Sequence, residues 1–185
     1  MQIRKATEND AQAIARLLLD AMEDIVYAFI GERDHAKARA FMCYFVGTEN
    51  NQYSLENCRV AEIDGEVVGA VNVYDGAMLA ELRRPVVEYI RDKYIRDFPQ
   101  GDQTEAGEYY LDTLSVDKNY RCRGIGSGIL QFVIDEYVHR QGRILGLLVD
   151  DDNPDAKRLY LKLGFKPAGR KIFFGKRMEH LQFMG

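Results

Sequence analysis

Two glycines and two cations meet in Arg121-Cys122-Arg123-Gly124-Ile125-Gly126. Gly124 and Gly126 lack the Cβ atoms that hold a ligand off the backbone, so several N–H groups can converge on phosphate oxygens at a helix N-terminus. Arg121 and Arg123 add full positive charge beside such an anion. The same six residues also suit an ordinary basic turn between a strand and a helix. The run Gly124-Ile125-Gly126-Ser127-Gly128 matches the dinucleotide fingerprint G-x-G-x-x-G only in part, because position 129 is Ile129 and the loop falls late in the chain. Asp112 is a second candidate. A carboxylate between the apolar runs YYL and TLSV has its pKa raised by desolvation and can take up a proton near neutrality, unless it pairs with a lysine or backbone donor at a sheet surface. Tyr160 shares a helical stripe with Ala156, Leu159 and Leu163, which by spacing alone reads as core; Asn153, close to two turns earlier, faces the same side. Asp150, Asp151 and Asp152 look like a metal cluster, yet three consecutive carboxylates ahead of Asn153-Pro154 fit helix capping and solvated charge better, so no metal is expected. His139 near a helix C-terminus is favoured there by the dipole, and Cys122 is reactive only where exposed.

These residues need elements to hold them. Gln2 to Ala6 suits an opening strand, and Ala11 to Met22 carries Ile14, Leu17, Leu18 and Met22 at helical spacing. His35 to Val46 repeats that habit. Cys58 to Ile63 and Glu66 to Tyr74 flank Asp64-Gly65, a dipeptide suited to a type I′ hairpin turn. Leu82, Val86, Ile90 and Tyr94 fall four apart, predicting an inserted helix with Pro85 in its first turn, followed by a loose loop through Pro99 to Gly107. A strand at Tyr109 to Val116 leads into the glycine loop and a helix over Gly126 to His139. Ile144 to Val149 reads as a strand buried on both faces. A helix closed by Gly164 follows, then two strands, Phe165 to Phe174 and Lys176 to Leu181, around Gly175.

The chain has 185 residues and suits one domain over 1–185. Lys and Arg number 25 against 29 Asp and Glu, a net charge of -4 without long like-charge runs, which argues against nucleic acid as partner. Three cysteines at no metal-ligand spacing fit a reduced, cytoplasmic setting, and neither a leader nor a membrane span is expected from the pattern.

Taken together, the loop and its flanks resemble the GNAT superfamily of acyl-CoA-dependent N-acyltransferases. Arg121, Gly124 and Gly126 match the pattern Q/R-x-x-G-x-G/A, preceded by LDTLSVDKNY and followed about 30 residues on by NPDAKRLYLKLGF. The resemblance covers 108–175 closely. It implies an α/β fold with a mixed, mostly antiparallel sheet of about seven strands flanked by helices, here with the extra helix between strands three and four. It further implies that acetyl-CoA lays its pyrophosphate on the backbone of Arg121, Cys122, Arg123, Gly124, Ile125 and Gly126, with Ser127 in the adjoining helical turn. Its pantetheine arm would run along Leu114 to Val116, with Asn153 and Tyr160 flanking the thioester.

The reaction so implied is direct attack of a primary amine on the thioester. It requires removal of a proton from the amine, a donor for the oxyanion and a proton source for the thiolate. The resemblance assigns the oxyanion donor to the backbone N–H of Leu114, which requires neighbouring strands to splay, and the acid to Tyr160. Some relatives carry a glutamate where this chain has Tyr110. Asp112 then becomes the base, since strand alternation puts 110, 112 and 114 on one face; Glu108 is the weaker choice. The acceptor is expected to be a small-molecule amine, with a peptide amine as the other enzymatic option. The inserted segment offers Glu81, Glu88, Asp92 and Asp97, interleaved with Arg83, Arg84, Arg91 and Arg96. A CoA-binding module without turnover is the alternative from another class, and a homodimer is a compatible assembly.

Overall fold

The elements run β1 (Gln2–Lys5), α1 (Ala11–Ile30), α2 (His35–Val46), β2 (Cys58–Ile63), β3 (Glu66–Asp75), α3 (Leu79–Tyr94), β4 (Glu108–Val116), α4 (Ile125–Val133), β5 (Ile144–Asp150), α5 (Pro154–Leu163), β6 (Lys166–Phe173) and β7 (Lys176–Phe183). This computed structural model describes residues 1–98, 101 and 103–185. Seven strands form one sheet in the order β1-β2-β3-β4-β5-β7-β6. Among the described residues only β4 and β5 pair in parallel, so the sheet is mixed and mostly antiparallel.

Two apolar layers sandwich it. Ile14, Leu17 and Leu18 of α1, Phe41 and Phe45 of α2, and Val86 and Ile90 of α3 pack with Val60 and Ala70 of the sheet. Ile129, Leu130 and Val133 of α4 pack on the other face with Val71, Leu111 and Leu147, joined by Leu159 of α5. Burying each such side chain contributes roughly 1.5–3 kcal/mol.

Asp64 and Gly65 take φ of 52° and 82° between β2 and β3, the positive angles expected of their turn. Helix α1 outruns its expected end: Met22 leaves the helical region at φ -131° and ψ 27°, and the helix then resumes to Ile30. Helix α4 begins at Ile125 and passes into a π-helical turn over Ile134–His139. Pro85 lies well inside α3 rather than in its first turn, leaving the Glu81 carbonyl without its usual donor. Of the expected loose loop, Pro99, Gln100 and Asp102 lie outside the described residues. Gln103 and Thr104 are buried, with Thr104 Oγ1 donating to the Gly76 carbonyl at 2.9 Å.

The β3–β4 register runs Asn72↔Thr113 and then Val73↔Leu111, so Asp112 is the extra residue of a β-bulge. This corrects the expectation that 110, 112 and 114 share a face. Tyr110 packs with Tyr74 and Leu79, and Thr113 Oγ1 reaches Met22 Sδ of α1 at 3.9 Å. Beyond the bulge the alternation is inverted, and Leu114 and Val116 pack on the α4 side with Leu111.

Candidate active site

The loop at Arg121–Gly126 is shaped by backbone geometry. Gly124 caps α4 at φ 79°, where a Cβ would meet nothing within 4 Å, so glycine is required for the angle rather than for space. Among the described residues no side chain caps the helix, and the first turn of any helix leaves N–H groups without an internal partner. Gly126 has an ordinary angle, and a Cβ there would touch Val116 Cγ2 at 3.8 Å. Cys122 is exposed with φ 61°. Arg121 donates through Nε to the Val116 carbonyl at 3.1 Å, and the Arg123 guanidinium lies 5.1 Å from the Tyr120 ring centre. Tyr120 in turn donates to Glu66 at 2.9 Å.

The β4–β5 pairing stops at Leu111↔Leu147, so Asp112 to Val116 continue along β3 while β5 turns away. A cleft of about 840 Å³ runs through this parting. Its walls come from both sides of the sheet: Met22 and Ile25 of α1, Tyr110, Asp112, Thr113 and Leu114 of β4, and Asn153 and Tyr160 at α5. Among the sequence-derived site residues, Asp112, Leu114, Asn153 and Tyr160 therefore share one cleft. The glycine loop and Val116 are not among its lining residues.

Asp112 is half-buried. Burial pushes its carboxyl up to about 6 even though a hydrogen bond from Tyr74 and the charge of Arg83 act in the other direction. Tyr74 Oη donates to Asp112 Oδ2 at 3.0 Å, Gln52 Nε2 to the same oxygen at 3.4 Å, and Gln103 Nε2 approaches Oδ1 at 3.5 Å. Tyr160 is half-buried and packs edge-on against Phe165 at 5.8 Å. Burial raises its phenol to about 12. Asn153 caps α5, accepting from the Ala156 N–H at 3.2 Å.

Glu108, the weaker base candidate, is buried and engaged elsewhere: His180 Nε2 lies 2.9 Å and Gln182 Nε2 2.8 Å from its Oε2. Burial pushes its carboxyl up, but these contacts more than offset that and leave it lowered. Asp150 accepts from the Asp152 N–H at 3.0 Å and from Lys176 at 2.9 Å, and Asp151 pairs with Arg170 at 3.4 Å.

The acidic residues singled out in the inserted segment, Glu81, Glu88, Asp92 and Asp97, do not line the cleft. Asp20, Glu23 and Asp24 of α1 do, with Asp112, Asp150 and Asp152, against Lys176 as the lysine of the lining. Glu23 and Asp24 escaped the sequence reading because the expected helix stopped at Met22, which left Asp20 without its acidic neighbours. Their spacing of three and four along a continued helix was the available signal. Gln52 and Tyr74 left no such signal, being 60 and 38 residues from Asp112, and Gln103, nine residues away, sat in a stretch without periodicity.

Residues 19–165 match the model of the acetyltransferase (GNAT) family. A crystal structure of an acetyltransferase superposes with a TM-score of 0.82 at 32% identity, covering 100% of this chain and 99% of that one. An N-acetyltransferase from Staphylococcus aureus Mu50 superposes with a TM-score of 0.83 at 21% identity over 99% of this chain and 100% of the other, a likeness of fold. Among curated proteins, "Probable spermine N(1)-acetyltransferase" of Bacillus subtilis subsp. natto (strain BEST195) is 31% identical over 84 residues, which span 44% of this chain and 55% of that protein. The matched stretch is thus about half the length of that relative. With its sheet, its parted central strands and its glycine loop, the chain belongs to the GNAT family of acetyltransferases.

Proposed function

We propose that this protein transfers the acetyl group of acetyl-CoA to a small amine bearing more than one positive charge, by direct attack within a ternary complex. The observation that carries this reading is the cleft at the β4–β5 parting, where Asp112 and Tyr160 line a common space. In this reading the pyrophosphate sits on the loop Arg121–Gly126, and the pantetheine arm follows Leu114 to Val116 into the parting from the α4 side. The amine enters from the α1 side.

The acidic lining supports a cationic acceptor. In a wet cleft each carboxylate a few ångströms from an ammonium contributes about 0.5–1 kcal/mol. Several acting together hold the amine by its charge, while the nitrogen that reacts must lose its proton. An alkylammonium has a pKa of about 10, whereas nitrogen bonded to the thioester carbon is far more acidic. Asp112, ionised above pH about 6, takes that proton as the C–N bond forms. The Leu114 N–H stabilises the oxyanion from beyond the last β4–β5 pair. A thiol of ordinary pKa, about 8.5, lies below the Tyr160 phenol, so complete transfer from Tyr160 to sulfur is uphill by about 5 kcal/mol. Tyr160 therefore serves as a hydrogen-bond donor to the sulfur as the C–S bond breaks. The thiolate takes a proton from solvent as Asp112 returns the amine's proton to solvent, leaving thiol and N-acetyl amide as products. The match to a curated relative named for spermine favours di- and polyamines within this class.

Thiol release from acetyl-CoA across monoamines, diamines, polyamines and peptides tests the proposal. The expected outcome is a kcat/KM for polyamines at least about tenfold above that of a monoamine of equal length, falling with salt. Preference for peptide amines, or no turnover with any amine, contradicts it.

A further inference from the structure

The segment that follows α3 reaches back to Asp112. Gln103 is 2% exposed, and its Nε2 approaches Tyr74 Oη at 3.3 Å and Asp112 Oδ1 at 3.5 Å. Its Oε1 accepts from Arg83 Nη2, and Arg83 also donates through Nη1 to the Gly101 carbonyl at 3.0 Å. A guanidinium can only donate, so it holds the oxygen end of the amide toward itself and turns the NH₂ end toward Asp112. Tyr74 completes the arrangement by donating to Asp112 Oδ2.

We propose that Gln103 is a positioning residue for Asp112, an amide spacer that aims two N–H donors at the base and its tyrosine partner while keeping the Arg83 cation one side chain away. The idea rests on Asp112 being the base. Its physical logic is a compromise. A carboxylate in direct contact with arginine has its pKa lowered by about 1–3 units and loses basicity, whereas one without donors becomes protonated at neutral pH. An amide polarised by a cation supplies intermediate stabilisation and fixes the carboxylate plane. The inserted segment thereby acts on the base and not on the acceptor.

The charged and titratable surroundings of Asp112 include Tyr74 of β3, Tyr110 of β4, Cys58 of β2, Tyr53 ahead of it and Arg83 of α3. Across the cleft stand Asp20, Glu23 and Asp24 of α1, Asp150, Asp152, Tyr160 and Lys176. Changing Gln103 removes none of these groups.

The test is the acidic limb of the pH profile of kcat/KM for the amine, in wild type, Gln103→Met and Asp112→Asn. Methionine keeps the length and volume that exclude Arg83 but lacks donors; Gln103→Leu is the second variant should methionine fold poorly. Loss of the amide donors raises the limb by about 0.5–1 unit and leaves acetyl-CoA affinity unchanged. Activity recovers at pH 8–9, where Asp112 is again ionised. A merely structural role lowers the rate equally at every pH. A limb that stays put or moves down in the Gln103 variants, while Asp112→Asn abolishes it, overturns this proposal alone. A wild-type limb that survives Asp112→Asn overturns the base assignment instead.

Discussion

Six consecutive residues form the loop at Arg121–Gly126, whereas the surroundings of Asp112 draw on β3, β4, α3 and the segments carrying Gln52 and Gln103. The loop presents backbone, so its chemistry depends on positive φ angles at Cys122 and Gly124 and on the start of a helix. The Asp112 pocket presents side chains, so its chemistry depends on burial that only the assembled fold supplies. Local construction tolerates change in most side chains but not in conformation. Assembled construction is sensitive to single polar atoms. The two regions therefore fail differently when altered.

The largest effect is expected at the assembled site. Asp112→Asn lowers kcat by about 10²–10⁴-fold in steady-state assays with little change in acetyl-CoA affinity. It also stabilises the protein. The carboxyl is raised from 3.8 to about 6 in the fold, so the folded state favours the protonated acid and carries a cost once Asp112 ionises. That cost is absent below pH about 4 and complete above pH about 6, so the Tm gain of the asparagine variant grows over that window.

At the loop, Gly124→Val forces a β-branched residue to φ 79°. Acetyl-CoA affinity by calorimetry is expected to fall by about 100-fold, against a folding cost of about 1–2 kcal/mol. Loss of kcat with affinity retained would invert the contrast between the regions. Tyr160→Phe, which removes one donor to developing charge, lowers kcat by about 10–100-fold, and its affinity for acetyl-CoA stays close to wild type.

The smallest effect lies outside both regions. Ile95 ends α3 in the left-handed region at φ 54° and is 90% exposed. Ile95→Gly is expected to add about 1 kcal/mol of stability by chemical denaturation and leave the kinetics unchanged.

This contrast also explains which features the sequence carried. The glycine loop, the Asp64-Gly65 turn and the Asn153 cap are short-range patterns, and each appears where its residues announced it. Asp112 was visible as an isolated carboxylate in an apolar strand. The bulge that moves Leu114 to the other face was not, because it arises from a one-residue slip between β3 and β4. Gln103 sat in a stretch that looked loose, and its burial depends on contacts to Arg83 and Tyr74 at sequence separations of 20 and 29. The helical break at Met22 hid the acidic turn behind it.

The most direct measurement is the pH dependence of kcat/KM for a polyamine with acetyl-CoA, in wild type and Asp112→Asn. In wild type the logarithm should rise with unit slope toward the amine's own pKa of about 10 and steepen to a slope of two below pH about 6. In the asparagine variant the steeper region should be gone and the remaining rate should follow the amine alone. The same steepening in both proteins would mean that Asp112 is not the base.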